Sequence, residues 1–125
     1  MSDNKKYDLE ERLVKFAVRM MEIAEILPKT KSGNHISGQL VRCGTSPAFN
    51  YGEVQAAESP DDFIHKMRVV LKELRETGVC LKIIILKPLM KQDVIISDVK
   101  ECNELIAIFT KSIETATSNR DKNQK

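Results

Sequence analysis

Apolar residues recur at steps of three and four in four successive segments of this chain, which restricts it to amphipathic helices packed against one another. In the first, Leu9, Leu13, Phe16, Met20, Ile23 and Leu27 share a face. Asp8 stands at the N-cap, Glu11 follows in a capping-box arrangement and Pro28 lies just past the end, so the spacing predicts a helix over 8–27. The second stripe, Ile36, Leu40, Cys43, Pro47, Tyr51 and Val54, predicts a helix over 34–57 after the turn-rich stretch "PKTKSGN". The third opens on Ser59 as N-cap, Pro60 at N1, and Asp61 and Asp62 where the helix dipole favours negative charge. Phe63, Met67, Val70, Leu74, Leu81 and Ile85 continue it to Leu86, and Pro88 closes it. Reading "KIIIL" as a strand would leave that strand without partners. Ser97 or Asp98 then caps a fourth helix carrying Val99, Cys102, Ile106, Phe109, Ile113 and Ala116. Four such segments with short connections predict an all-α, antiparallel up-down-up-down four-helix bundle.

Pro47 falls in the middle of the second helix. It removes an amide donor and clashes with the carbonyl four residues back, so this helix is expected to bend there or to break in two. Gly44, Ser46 and Ala48 are small enough to let a neighbouring helix approach closely at that point.

At 125 residues the chain is long enough for one core without metal or disulfide support. A single domain is expected over 1–116, followed by a disordered tail over 117–125. Cys43, Cys80 and Cys102 are odd in number and widely spaced, which reads as reduced, buried thiols. The N-terminus has no apolar h-region and "VCLKIIIL" is too short to span a bilayer, so a cytoplasmic protein with no membrane partner is expected.

Catalytic patterns are weak. Neither His35 nor His65 has a Glu three positions before it, as a di-iron bundle requires, and Ser59, Asp62 and His65 read as a helix cap with a surface imidazole. No enzymatic activity, cofactor, metal or small-molecule substrate is expected. The net charge of +2 says little, but Arg68, Lys72, Arg75 and Lys82 fall within an arc of about 80° on the third helix. Two readings stand: a solvated face, or a candidate phosphate-contacting strip without aromatic platforms for base stacking. Val14, Val18 and Met21 form a second apolar group on the first helix, and the third helix is apolar nearly all round near Ile83. These four are candidate subunit contacts, unless the fourth helix and the loop 88–96 cover them. Arg42, Asn50, Glu53, Glu73 and Glu76 are candidate polar contacts between the second and third helices, with Glu73 and Glu76 as partners for Arg42.

The order "YDLEERLVKFAVRM", "QLVRCGTSPAFNYGE", "SPDDFIHKMRVVLKELRET" resembles the four-helix bundle family named for the 23S rRNA-intervening sequence protein, over roughly residues 7–116. The family's second-helix Arg, Ser/Pro/Ala-rich middle and Asn-x-x-Glu match Arg42, Ser46 to Ala48, Asn50 and Glu53; its third-helix aromatic and Glu-rich stretch match Phe63, Glu73 and Glu76. Phe49 and Gly52 depart from it, where a small residue and an Ala are usual. The resemblance implies a homopentameric ring without established enzymatic activity. It also implies kinship with the accessory protein of diversity-generating retroelements, which works with a reverse transcriptase and nucleic acid. The expectation is a non-enzymatic pentameric scaffold that binds RNA or a nucleic-acid-bound partner. The alternative is a protein-interaction module that never touches nucleic acid.

Overall fold

The computed structural model describes residues 5–123, which form four helices: α1 (Lys5–Ile26), α2 (Lys31–Val54), α3 (Pro60–Leu86) and α4 (Gln92–Asn123). Consecutive helices pack closely, α1 and α4 approach at only a few points, and the diagonal pairs do not come within backbone contact. The chain therefore runs round the bundle in sequence order, up, down, up and down. Leu13, Met20, Ile23, Leu40, Leu74, Leu81, Ile84, Leu105 and Phe109 fill its axis with no solvent exposure. Across the core the Tyr51 ring meets Phe109 edge-on, with centroids 5.7 Å apart.

The α3 start follows the sequence reading: the Ser59 side chain accepts from the Asp62 amide at 3.0 Å and Pro60 occupies the first turn. The other starts move. Helix α1 is already formed at Lys5, so Asp8 lies within it instead of capping it, because nothing in "KKYD" opposes helix formation. Helix α2 begins three residues early, at Lys31, because Thr30 is the cap and accepts from the Gly33 amide at 3.0 Å. Gly33 looks like a turn residue in the sequence, yet it is a close-approach residue. A Cβ there would stand 1.9 Å from the Pro28 carbonyl oxygen.

Helix α2 passes Pro47 without breaking and ends at Val54. Just before the proline, the Thr45 and Ser46 hydroxyls donate back to the carbonyls of Val41 and Arg42, both at 2.7 Å. Gly44 has the role foreseen for the small residues: a Cβ there would meet the Met20 Cβ and Cγ at 2.6 Å, so the missing side chain lets α1 and α2 close.

Helix α4 is the largest departure. It starts at Gln92 with Asp93 in its first turn, so Ser97 and Asp98 are interior and cap nothing. Asp98 is buried against α1. The tail expected to be disordered from 117 instead continues the helix to Asn123, and Arg120 pairs there with Asp61 at 3.0 Å and with Asp121 at 3.1 Å. Residues 124–125 lie outside the described residues.

Long side chains close the α1–α4 seam. Arg12 donates through two nitrogens to the two carboxylate oxygens of Glu101, at 3.0 and 2.7 Å, and also reaches Glu104 at 2.9 Å. One turn or two further along, the Arg19 Nε donates to both oxygens of Asp98, at 3.0 and 3.1 Å, and a second Arg19 nitrogen donates to the Val94 carbonyl at 3.2 Å. These pairs raise both guanidinium pKa values, chiefly through hydrogen bonds from Arg12 to Glu101 and from Arg19 to Asp98.

Candidate functional site

Arg68, Lys72, Arg75 and Lys82 are all exposed on the outer side of α3. Lys72 lies 3.9 Å from Glu76, an exposed intrahelical pair of small energetic consequence. Among the described residues, Arg68, Arg75 and Lys82 form no ion pair within 4.0 Å. Their charge therefore stays open to solvent. Arg68 also lines a groove between α3 and α4 with Ile113, Glu114, Thr117, Asp121 and Lys122, so acidic groups interrupt the positive surface at that edge.

The four candidate subunit-contact residues stay uncovered, with Val14 47%, Val18 50%, Met21 44% and Ile83 42% exposed. Cover by α4 or the loop 88–96 is thereby excluded within the chain. The α3 patch is broader than the sequence reading allowed. Val79, Ile83 and Leu86 recur at i, i+4 and i+7, and Leu86 is 84% exposed. Their spacing was visible, but it sat inside a stretch that read as apolar all round. One outer face of α3 is thus cationic from Arg68 to Arg75 and apolar from Val79 to Leu86, with Lys82 between. On α1 the exposed stripe adjoins the α2 side of the bundle, where Val41 is also exposed. Phe49, where the family pattern has a small residue, points into solvent at 77% exposure.

The polar residues of the α2–α3 seam are less connected than expected. Arg42 does not pair with Glu73 or Glu76; its exposed guanidinium donates to Gln39 on its own helix. It lies near enough to act on Glu73 only through its field. Asn50 and Glu53 line a cleft of about 240 Å³ with His65, Lys66 and Val69, placing them opposite the start of α3. Lys66 itself turns to Asp62, at 2.7 Å. That bond and the Glu58 amide hold the Asp62 carboxyl below the usual carboxylate range, so Asp62 belongs to the helix cap. Ser59, Asp62 and His65 thus form no nucleophilic relay.

Burial and then the neighbouring Glu76 raise the Glu73 carboxyl pKa. A carboxyl raised in the folded state binds more protons there than in the unfolded chain, so its contribution opposes folding as pH rises through the shifted range. Glu73→Gln is therefore expected to raise the thermal midpoint at pH 7, with a gain below about 1 kcal/mol because the group is partly solvated. The gain should vanish on acidification below the ordinary carboxylate range; a gain independent of pH in melting curves would assign it to packing.

Among solved structures, the chain is similar to the crystal structure of a protein of unknown function from the S23 ribosomal protein family of Bacteroides thetaiotaomicron VPI-5482. The two share 27% identity and superpose with a TM-score of 0.81 over 89% of this chain and 99% of that one. No protein-family model and no curated protein matches the sequence.

Proposed function

We propose that the protein is a non-enzymatic helical scaffold that assembles as a homopentameric ring and contacts RNA, or a partner carrying nucleic acid, through the cationic half of the outer α3 face. The observation that carries this reading is the division of that face: three exposed cations without cross-helix partners among the described residues are followed by three exposed aliphatic residues. Solvent-exposed guanidinium and ammonium groups in a row suit a phosphate backbone, whose neutralisation releases counterions. Exposed aliphatic residues at helical spacing suit contact with another chain.

Two apolar stripes support assembly, one on α1 and one on α3, and the backbones of these diagonal helices do not approach closely within the subunit. A contact between unlike patches is heterologous and can close into a ring, which would repeat the α3 cations around its circumference. The solved neighbour's place in the S23 ribosomal protein family agrees with an RNA setting. The resemblance to the 23S rRNA-intervening sequence family supplies the pentameric number.

Light scattering after size exclusion, at low and high salt and with absorbance at 260 and 280 nm, tests both halves. The expected result is a mass of about five subunits with co-purifying nucleic acid that salt removes. Charge reversal at Arg68, Lys72 and Arg75 together is expected to abolish nucleic-acid retention with unchanged helicity by circular dichroism, since all three are exposed. Unaltered retention would remove this face from the reading. The α3 face lacks aromatic side chains between its cations, which favours a second reading as a protein-binding module. In that case association should persist or strengthen as salt rises.

A further inference from the structure

The α2–α3 seam holds two thiols that the proposed scaffold function does not use. Cys43 on α2 and Cys80 on α3 are both buried, and their Sγ atoms stand 4.0 Å apart. Cys102 is engaged elsewhere, its Sγ donating to the Leu74 carbonyl at 3.4 Å. We propose that Cys43 and Cys80 are an oxidative modification site, forming a reversible disulfide between α2 and α3 when the protein meets a hydroperoxide.

A disulfide needs sulfurs about 2.05 Å apart, so each must move by about 1 Å. A turn of about 30° around a Cα–Cβ bond displaces its sulfur by a distance of this order, at a modest departure from staggered geometry. The helices are held at this spacing by the packing around Leu40, Leu81 and Ile84. Arg42, Glu73 and Glu76 are the charged groups that act on the pair from the seam.

The two thiols differ in reactivity. The hydrogen bond from Cys80 stabilises the Cys43 thiolate and lowers its pKa despite burial. That same interaction, burial and the Cys43 charge raise the Cys80 pKa. Thiolate is the attacking species, which makes Cys43 the entry point. Its sulfur attacks one peroxide oxygen, the O–O bond breaks, and the departing oxygen takes up the released proton to leave as an alcohol. Cys43 is then a sulfenic acid. The Cys80 sulfur attacks the Cys43 sulfur, the S–O bond breaks, and water leaves with the Cys80 proton. Two thiols have lost two electrons and two protons, and the hydroperoxide has been reduced to alcohol and water.

The test uses the full chain, treated with tert-butyl hydroperoxide under native conditions, then unfolded, alkylated without reduction and mapped by peptide mass spectrometry. The expected product is a single Cys43–Cys80 disulfide with Cys102 still alkylated, reversed by dithiothreitol. The cross-link closes a loop whose ends are 37 residues apart in sequence, so the oxidised protein should melt about 5–15 °C higher. Cys80→Ser should halt the reaction at a Cys43 sulfenic acid, captured by dimedone. Three alkylated cysteines, a disulfide to Cys102, or a link between chains would each overturn the proposal.

Discussion

Arg19→Met, which takes a partly exposed arginine away from a buried carboxylate, is expected to lower folding stability by about 2–3 kcal/mol, a large share of the roughly 5–15 kcal/mol that holds a domain of this kind together. The reason lies in the partner. Asp98 is only 6% exposed, and both its oxygens accept from the Arg19 Nε. Methionine fills the space of the arginine stem and removes the charge, leaving a carboxylate that is neither hydrated nor paired. The Val94 carbonyl loses its donor from α1 at the same time. Pairing Arg19→Met with Asp98→Leu should recover most of the loss, because with both charges gone no buried carboxylate is left without a partner. Arg12→Met is the comparison. Its side chain and that of Glu101 are each 34% exposed, so water can replace the lost bonds and about 1 kcal/mol or less is expected. Urea midpoints with unchanged slopes would report these differences as stability. A loss below about 1 kcal/mol for Arg19→Met would mean that water reaches Asp98 once the arginine is gone.

The Arg19–Asp98 pair also marks where the sequence stops being legible. Helical spacing identifies the four segments, and the Ser59-Pro60-Asp61-Asp62 start carries its own local signal, so the bundle can be read from one dimension. Asp98 after Ser97 looks like a cap because caps and buried ionic residues use the same side chains. Only a partner 79 positions away distinguishes them. Gly33 misleads similarly, since a glycine in a polar turn and a glycine pressed against a carbonyl are identical in sequence. The outer residues fare better. Val14, Val18, Met21 and Ile83 are apolar in places one core cannot use, and all four remain exposed. The link from Arg42 to Glu73 and Glu76 fails because shared helical faces do not fix the lateral reach of a flexible side chain. Gln39, three residues away on the same helix, receives the guanidinium instead. The Cys43–Cys80 approach has no sequence signal, since a separation of 37 residues matches no cysteine motif.

Introducing aspartate at both Val14 and Val18 is expected to reduce the assembled protein to single chains. Both positions are about half exposed within the subunit, so the folded chain can hydrate the new carboxylates and keep its helicity. Burial of the same stripe against a neighbour would force two charges out of water without partners, at several kcal/mol each, more than the contact can offset. Ile83→Asp should have the same effect from the α3 side. A mixture of the two mutant proteins decides how the stripes meet. If α1 of one subunit packs on α3 of the next, each mutant keeps one sound patch, complementary to the other's. Equimolar mixing then gives a dimer that cannot grow, because the remaining patches both carry aspartate. If instead like patches pair, mixing gives no mixed contact, and each mutant's mass is unchanged from when it is measured alone. Light scattering on the mixture reads these outcomes directly. A full ring that survives Val14→Asp with Val18→Asp would exclude the α1 stripe from the interface and leave the α3 patch to find another partner.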